Sequence, residues 1–187
     1  MEWYSNDFAQ DTKSITPTKL LFIDLQSTLD KLELSQRHLE HVTGIYIKPI
    51  QNICNRKDRI SLDNLSMILQ YLEEHHNINW LDVVKFVDVS TIPPIDPNRK
   101  QIRKRKPDVE PLIPKKKLSI DLKSVVNQLD ISDTEIKAAT GIPHQTLEMY
   151  LNETSENRSL KNISKILQYL DEKYTIPWTT IVRFEDI

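Results

Sequence analysis

The chain has 187 residues, room for one or two compact domains. It is 39% hydrophobic and 28% charged, with a formal net charge of −2, so any affinity for nucleic acid must come from how charge is distributed. A single cysteine, Cys54, excludes an internal disulfide framework and a multi-cysteine zinc site. There are only two glycines, Gly44 and Gly141, too far apart for a phosphate-cradling loop. No apolar run is long enough to cross a bilayer and no signal-peptide pattern opens the chain, so an intracellular protein without membrane contact is expected.

Residues 1–20 read as a polar N-terminal arm containing Trp3, Tyr4 and Phe8. From Ile23 onward the chain repeats itself: Ile23–Val89 matches Ile120–Ile187 with one inserted residue after Asn152, and 25 of 67 aligned pairs are identical. Thr43-Gly44-Ile45 recurs as Thr140-Gly141-Ile142, and Ile68-Leu69-Gln70-Tyr71-Leu72 as Ile166-Leu167-Gln168-Tyr169-Leu170. The boundaries read as an arm at 1–20, a first domain at 21–89, a linker at 90–117 and a second domain at 118–187.

Each copy reads as five short helices, giving an all-α fold with two tandem domains. In the first copy, Asp24–Glu33 carries Leu25, Leu29 and Leu32 at helical spacing. Ser35 caps a second helix that Gly44 ends in a left-handed turn. A third helix runs from Ile47 to Cys54, with Pro49 tolerated in its first turn. Ser61 caps a fourth, with Leu62, Leu65, Ile68, Leu69 and Leu72 on one face. Trp80 opens a fifth, closing the core with Val83, Val84 and Phe86. Ser132, Gly141, Ser159 and Trp178 repeat the scheme, and each copy is expected to fold by itself.

The linker holds six of the ten prolines and nine cations against three anions. Arg99, Lys100, Arg103, Lys104, Arg105 and Lys106 form its densest run. It reads as a solvated spacer, as an arm following phosphates or the minor groove, or as a nuclear-import signal if the source is eukaryotic. A flexible chain of that length spans roughly 30 Å, close to the ~34 Å between half-sites one helical turn apart.

Two short helices around a glycine turn, the second polar on its outer side, form the reading unit of a helix-turn-helix. The stretch LSQRHLEHVTGIYIKPIQNICN, Leu34 to Asn55, resembles the Cro/phage-repressor (xenobiotic-response-element) helix-turn-helix family, and ISDTEIKAATGIPHQTLEMYLN follows the same pattern in the second copy. The resemblance implies that Gln36 bonds a phosphate, that Ile47, Lys48, Gln51 and Asn52 face the major groove, and that Asn55 returns to the backbone. The chemistry agrees, since Lys48 can donate to guanine and the Gln51 and Asn52 amides can pair with adenine. Arg37, Arg56, Lys57 and Arg59 add cations around the first reading helix. Glu40 and Arg56 depart from the family pattern, at positions that are usually small and glycine.

His144, Gln145, Met149 and Asn152 are the corresponding candidates in the second copy, set among Asp133, Glu135, Glu148, Glu153 and Glu156. Such an acidic surface suits self-association or a protein partner better than a polyanion. Histidines 38, 41, 75 and 76 lack the spacing of a metal site and read as surface residues. With no catalytic constellation, no metal and no cofactor expected, the leading expectation is a non-enzymatic, sequence-specific regulator of transcription, a repressor, bound to double-stranded DNA. It would act in the cytoplasm at the nucleoid, or in the nucleus of a eukaryote. The alternative is a protein-interaction scaffold whose linker touches nucleic acid non-specifically.

Overall fold

The computed structural model describes residues 16–95, 112–154 and 157–187. Local chemistry places the helices much as the sequence predicts. The first copy carries α1 (Leu25–Lys31), α2 (Gln36–Thr43), α3 (Ile47–Cys54), α4 (Leu62–His76) and α5 (Trp80–Val83). The second carries α6 (Leu122–Gln128), α7 (Asp133–Thr140), α8 (His144–Leu151), α9 (Leu160–Tyr174) and α10 (Trp178–Ile181). The Ser35 and Ser61 hydroxyls accept from the amides of His38 and Asn64, and Ser132 and Ser159 do the same for Glu135 and Asn162. Each bond satisfies a helix-end donor that would otherwise be left open. Gly44 (φ 70°) and Gly141 (φ 68°) end α2 and α7 in the left-handed region, where a β-carbon is strained.

The expectation of an all-α chain is overturned. Ten helices are accompanied, among the described residues, by six strands in three antiparallel pairs. Strand β1 (Lys19–Ile23) pairs with β3 (Val84–Asp88), from Lys19 opposite Asp88 to Ile23 opposite Val84. The second copy repeats this with β4 (Lys116–Ile120) and β6 (Val182–Asp186). Two short strands, β2 (Arg59–Ser61) and β5 (Asn157–Ser159), pair across the copies. The arm read at 1–20 therefore gives its last two residues to β1, and the linker read at 90–117 gives its last two to β4. Val84 and Phe86 lie on strand β3 and do not extend the fifth helix.

The two copies share one core. Leu21, Leu25, Leu39, Ile50 and Leu69 of the first join Leu118, Leu122, Ile136, Leu147 and Leu167 of the second in one continuous cluster of buried side chains. Each copy also lays its first strand on the other's long helix, and the bonds come in matched pairs. The Leu21 amide donates to Ser164 Oγ and the Leu118 amide to Ser66 Oγ, each at 2.7 Å. Gln168 Oε1 accepts from the Thr18 and Lys19 amides, and Gln70 Oε1 from those of Lys115 and Lys116. Lys19 pairs with Asp171 and Lys116 with Glu73. This matching explains why the Ser-x-x-x-Gln spacing recurs in α4 and α9: both are receptors for the partner copy's strand. Trp80 and Trp178 meet edge-on at 5.8 Å, so neither closes only its own copy. The chain is folded as an interlocked pseudo-dimer.

Candidate nucleic-acid interface

Helices α2 and α3 follow one another across the left-handed Gly44 turn and pack together. Leu39, Val42, Ile50 and Ile53 are buried between the two helices and the core. Pinning α3 by Ile50 and Ile53 leaves its opposite side outward, where Lys48 is exposed and Ile47, Gln51 and Asn52 are half-buried. These four share one short helix, as the sequence predicts. Tyr46, just before α3, is 82% exposed. It was not among the residues singled out from the sequence, although it immediately precedes α3.

Glu40 does not impede packing. Its carboxylate accepts from the Ile47 amide at 3.1 Å and caps α3, whose own N-cap residue, Tyr46, makes no side-chain bond. An anion at a helix N-terminus is favourable there. The second copy carries Lys137 at the equivalent place, so α8 has no such cap.

The remaining first-copy candidates divide into two groups. Arg37 and Asn55 are exposed, while Gln36 donates to Gln26 Oε1 at 2.7 Å. Arg56 turns away from α3's outer side: its guanidinium lies 4.8 Å from the Phe22 ring centroid and donates to the Pro93 carbonyl. Lys57 borders a cavity between the copies. Arg59 is exposed and opens the cross-copy strand β2. Arg99, Lys100, Arg103, Lys104, Arg105 and Lys106 lie outside the described residues.

In the second copy His144, Gln145, Met149 and Asn152 are all exposed on or beside α8. His144 faces Glu148 at 3.6 Å, and Asn152 accepts from Lys123. Glu135 does not stand as a lone charge. It accepts from Lys173 Nζ, Tyr169 Oη and Tyr174 Oη at 2.5–2.7 Å. These bonds, led by that from Lys173, pull its carboxyl down to about 2. Asp133, Glu148 and Glu153 have no such neutralising cage among the bonds of the described residues.

Two histidines expected at the surface are drawn inward. His38 Nε2 and His76 Nε2 lie 2.5 Å and 3.2 Å from Tyr71 Oη, and the His75 ring packs on Tyr71 at 4.9 Å. Burial, with His75 adding to it, pushes His76 below the usual histidine range. Among the described residues no group of three or more His, Cys, Asp and Glu could hold a metal ion, and no helix is long and apolar enough to cross a membrane.

Comparison with protein-family models, with curated proteins and with solved structures finds no match.

Proposed function

We propose that the chain is a non-catalytic, sequence-specific double-stranded DNA-binding regulator of transcription, acting as a repressor. One observation carries this reading: α2, the Gly44 turn and α3 hold Lys48, Gln51 and Asn52 together on the outer side of a helix whose inner side is fixed by Ile50 and Ile53. A lysine and two amides on one short helix match the donor and acceptor patterns of base edges in the major groove. The resemblance of Leu34–Asn55 to the Cro/phage-repressor family points the same way. The interlocked copies would present α3 and α8 as a fixed pair related by an approximate two-fold, as a dimeric repressor presents its two reading helices. Exposed Tyr46 joins the contact set, with Arg37 and Asn55 at the phosphates. Such a protein works wherever the DNA is, at the nucleoid in the cytoplasm or in the nucleus.

The second copy supports an additional reading as a surface for a protein partner or for self-association. It rests on Asp133, Glu148 and Glu153 around α8, which a polyanion would avoid.

Selection of bound sites from a random duplex pool, followed by measurement on the winning site, tests the proposal. Lys48→Ala with Asn52→Ala should erase sequence preference while leaving helical content and melting temperature nearly unchanged, each good base contact contributing about 1–3 kcal/mol of discrimination. A double variant that still selects the same site would refute the assignment. A scaffold would select no site at all.

A further inference from the structure

A cavity of about 440 Å³ opens where the two copies meet beside the end of α3. Its walls are apolar, formed by Leu20, Phe22, Ile53 and Ile60 of the first copy and Leu160 of the second, among others. Its charged lining is mostly cationic: Arg56, Lys57 and Lys161 against the single carboxylate of Asp58, with Thr16 the one neutral polar side chain. That carboxylate is already committed, accepting from the Ser159 hydroxyl at 2.7 Å and the Lys161 amide at 2.8 Å. Neither Lys57 nor Lys161 has an ion-pair partner among the described residues. The volume lies in the range of small-molecule sites, which pair apolar walls with a few convergent polar groups.

The repeat supplies an internal comparison. The fold by itself would generate the same space twice, once per copy. At the equivalent place in the second copy Ile53 becomes Tyr150, Ile60 becomes Arg158 and Phe22 becomes Ser119. Tyr150 and Arg158 are both buried, at 4% exposure each, so bulk stands where the first copy has isoleucines. The charge reverses as well: in the structure Arg56 (φ 55°) and Glu153 (φ 54°) are the matching left-handed residues just after α3 and α8, and Lys161 corresponds to Asp63. The hollow and its cations are therefore features of the first copy's own sequence and not a by-product of the architecture.

We propose that this cavity is a binding site for a small amphipathic carboxylate, a medium-chain fatty acid or an acid of similar shape. Its hydrocarbon body would fill the space between β1, Ile53, Ile60 and Leu160. Its carboxylate would sit at the mouth with Lys57 and Lys161, beside the guanidinium of Arg56. Ile53, Arg56 and Lys57 belong to or directly follow α3, so an occupant bears on the helix assigned above to base reading. That consequence rests on the DNA-binding proposal, whereas the binding itself does not.

Calorimetry on the full chain with decanoate, and with decyltrimethylammonium as a probe of equal chain length and opposite charge, separates the terms. Decanoate should saturate at one molecule per chain and the ammonium should not bind measurably. Lys161→Gln, which lies outside the reading helix, should weaken decanoate roughly tenfold, about 1.4 kcal/mol. Leu20→Trp, which fills the hollow from the rim, should remove binding at an unchanged melting temperature. Equal binding of both probes, or decanoate binding that survives Leu20→Trp, overturns the proposal. So does decanoate binding that appears only after residues 1–15 are deleted, because the chain's own arm would then be the occupant. DNA affinity measured with and without decanoate reads the coupling separately: a chain that binds decanoate but no DNA sinks the functional reading and leaves the cavity assignment standing.

Discussion

Ile60 and Arg158 occupy equivalent positions of the repeat and face each other across the β2–β5 pair. The approximate two-fold axis relating the copies therefore passes between them. In a dimer of identical chains one residue type would meet itself there; within one chain the two sides are free to differ, and here they do. Ile60 is 3% exposed and apolar; Arg158 is 4% exposed and charged, and its Nε and Nη1 have no hydrogen-bond partner among the described residues.

A buried cation without full hydrogen bonding costs stability. Burial pushes the Arg158 guanidinium down, with Glu153, Tyr150 and Asp63 opposing the shift. Glu153 and Asp63 are exposed and stay solvated if the arginine is removed. Arg158→Met is thus expected to stabilise the chain by roughly 1–3 kcal/mol, read as a rise in the urea midpoint. A fall in the midpoint would show that the guanidinium holds the β2–β5 junction together.

The strand receptors on the long helices should be costly to remove. Ser66→Ala leaves the Leu118 amide without its acceptor, and Ser164→Ala does the same to Leu21. Both sites are buried, and each variant should lose about 1–3 kcal/mol. Matched losses in chemical denaturation would verify the two-fold equivalence. A negligible loss in either variant would mean that water replaces the hydroxyl.

The copies should not behave as independent domains. Residues 1–95 alone expose the face of α4 that carries Ser66 and Gln70, and strand β1 loses its seat on α9. The separate halves, 1–95 and 112–187, are expected to be poorly cooperative or to self-associate, and mixing them should restore one cooperative melt. Size exclusion with thermal circular dichroism makes the comparison. A monomeric half melting cooperatively near the intact temperature contradicts the shared core.

Glu135 predicts an acid limb. Its carboxyl lies at about 2 in the folded state, below the usual carboxylate value, chiefly through the bond from Lys173. The unfolded chain therefore takes up this proton at a higher pH than the folded chain does. The stabilisation is complete above the unfolded value near 4.5 and is lost as pH falls toward 2. Glu135→Gln should flatten stability against pH in that window and leave the region above pH 6 with the same slope. An unchanged acid limb in the variant would remove the carboxylate from that role.

His76 predicts a second, milder dependence. Burial favours its neutral form, so the folded value lies below that of the unfolded chain. The unfolded state binds the proton first, and stability declines as pH drops from about 6.5 downward. His76→Gln should lessen the decline between pH 6.5 and 5, measured by urea midpoints at fixed ionic strength. Equal midpoint changes in variant and parent would place the titration elsewhere.

Local features were legible in the sequence because their causes are local. Ser35, Ser61, Ser132 and Ser159 cap the helices they precede, Gly44 and Gly141 end α2 and α7, and the repeat showed that the two copies would share one plan. The outward position of Lys48 follows from the spacing of Ile50 and Ile53 alone. The strands were not legible, for a definite reason. Lys19 pairs with Asp88 and Lys116 with Asp186, so no hairpin turn announces either pair, and the scarcity of glycine says nothing about pairing between distant segments. Val84 and Phe86 suit a short helix or a strand equally well until β1 arrives beside them. The joining of the copies was hidden in the same way: Gln70 and Ser66 look like ordinary polar positions of a helix, and only the presence of strand β4 turns them into its receptors. Tertiary structure also decided the spacing of α3 and α8. A flexible linker would have let it vary, whereas the shared core and the Ile60–Arg158 contact fix it, because a packed interior has few alternative arrangements.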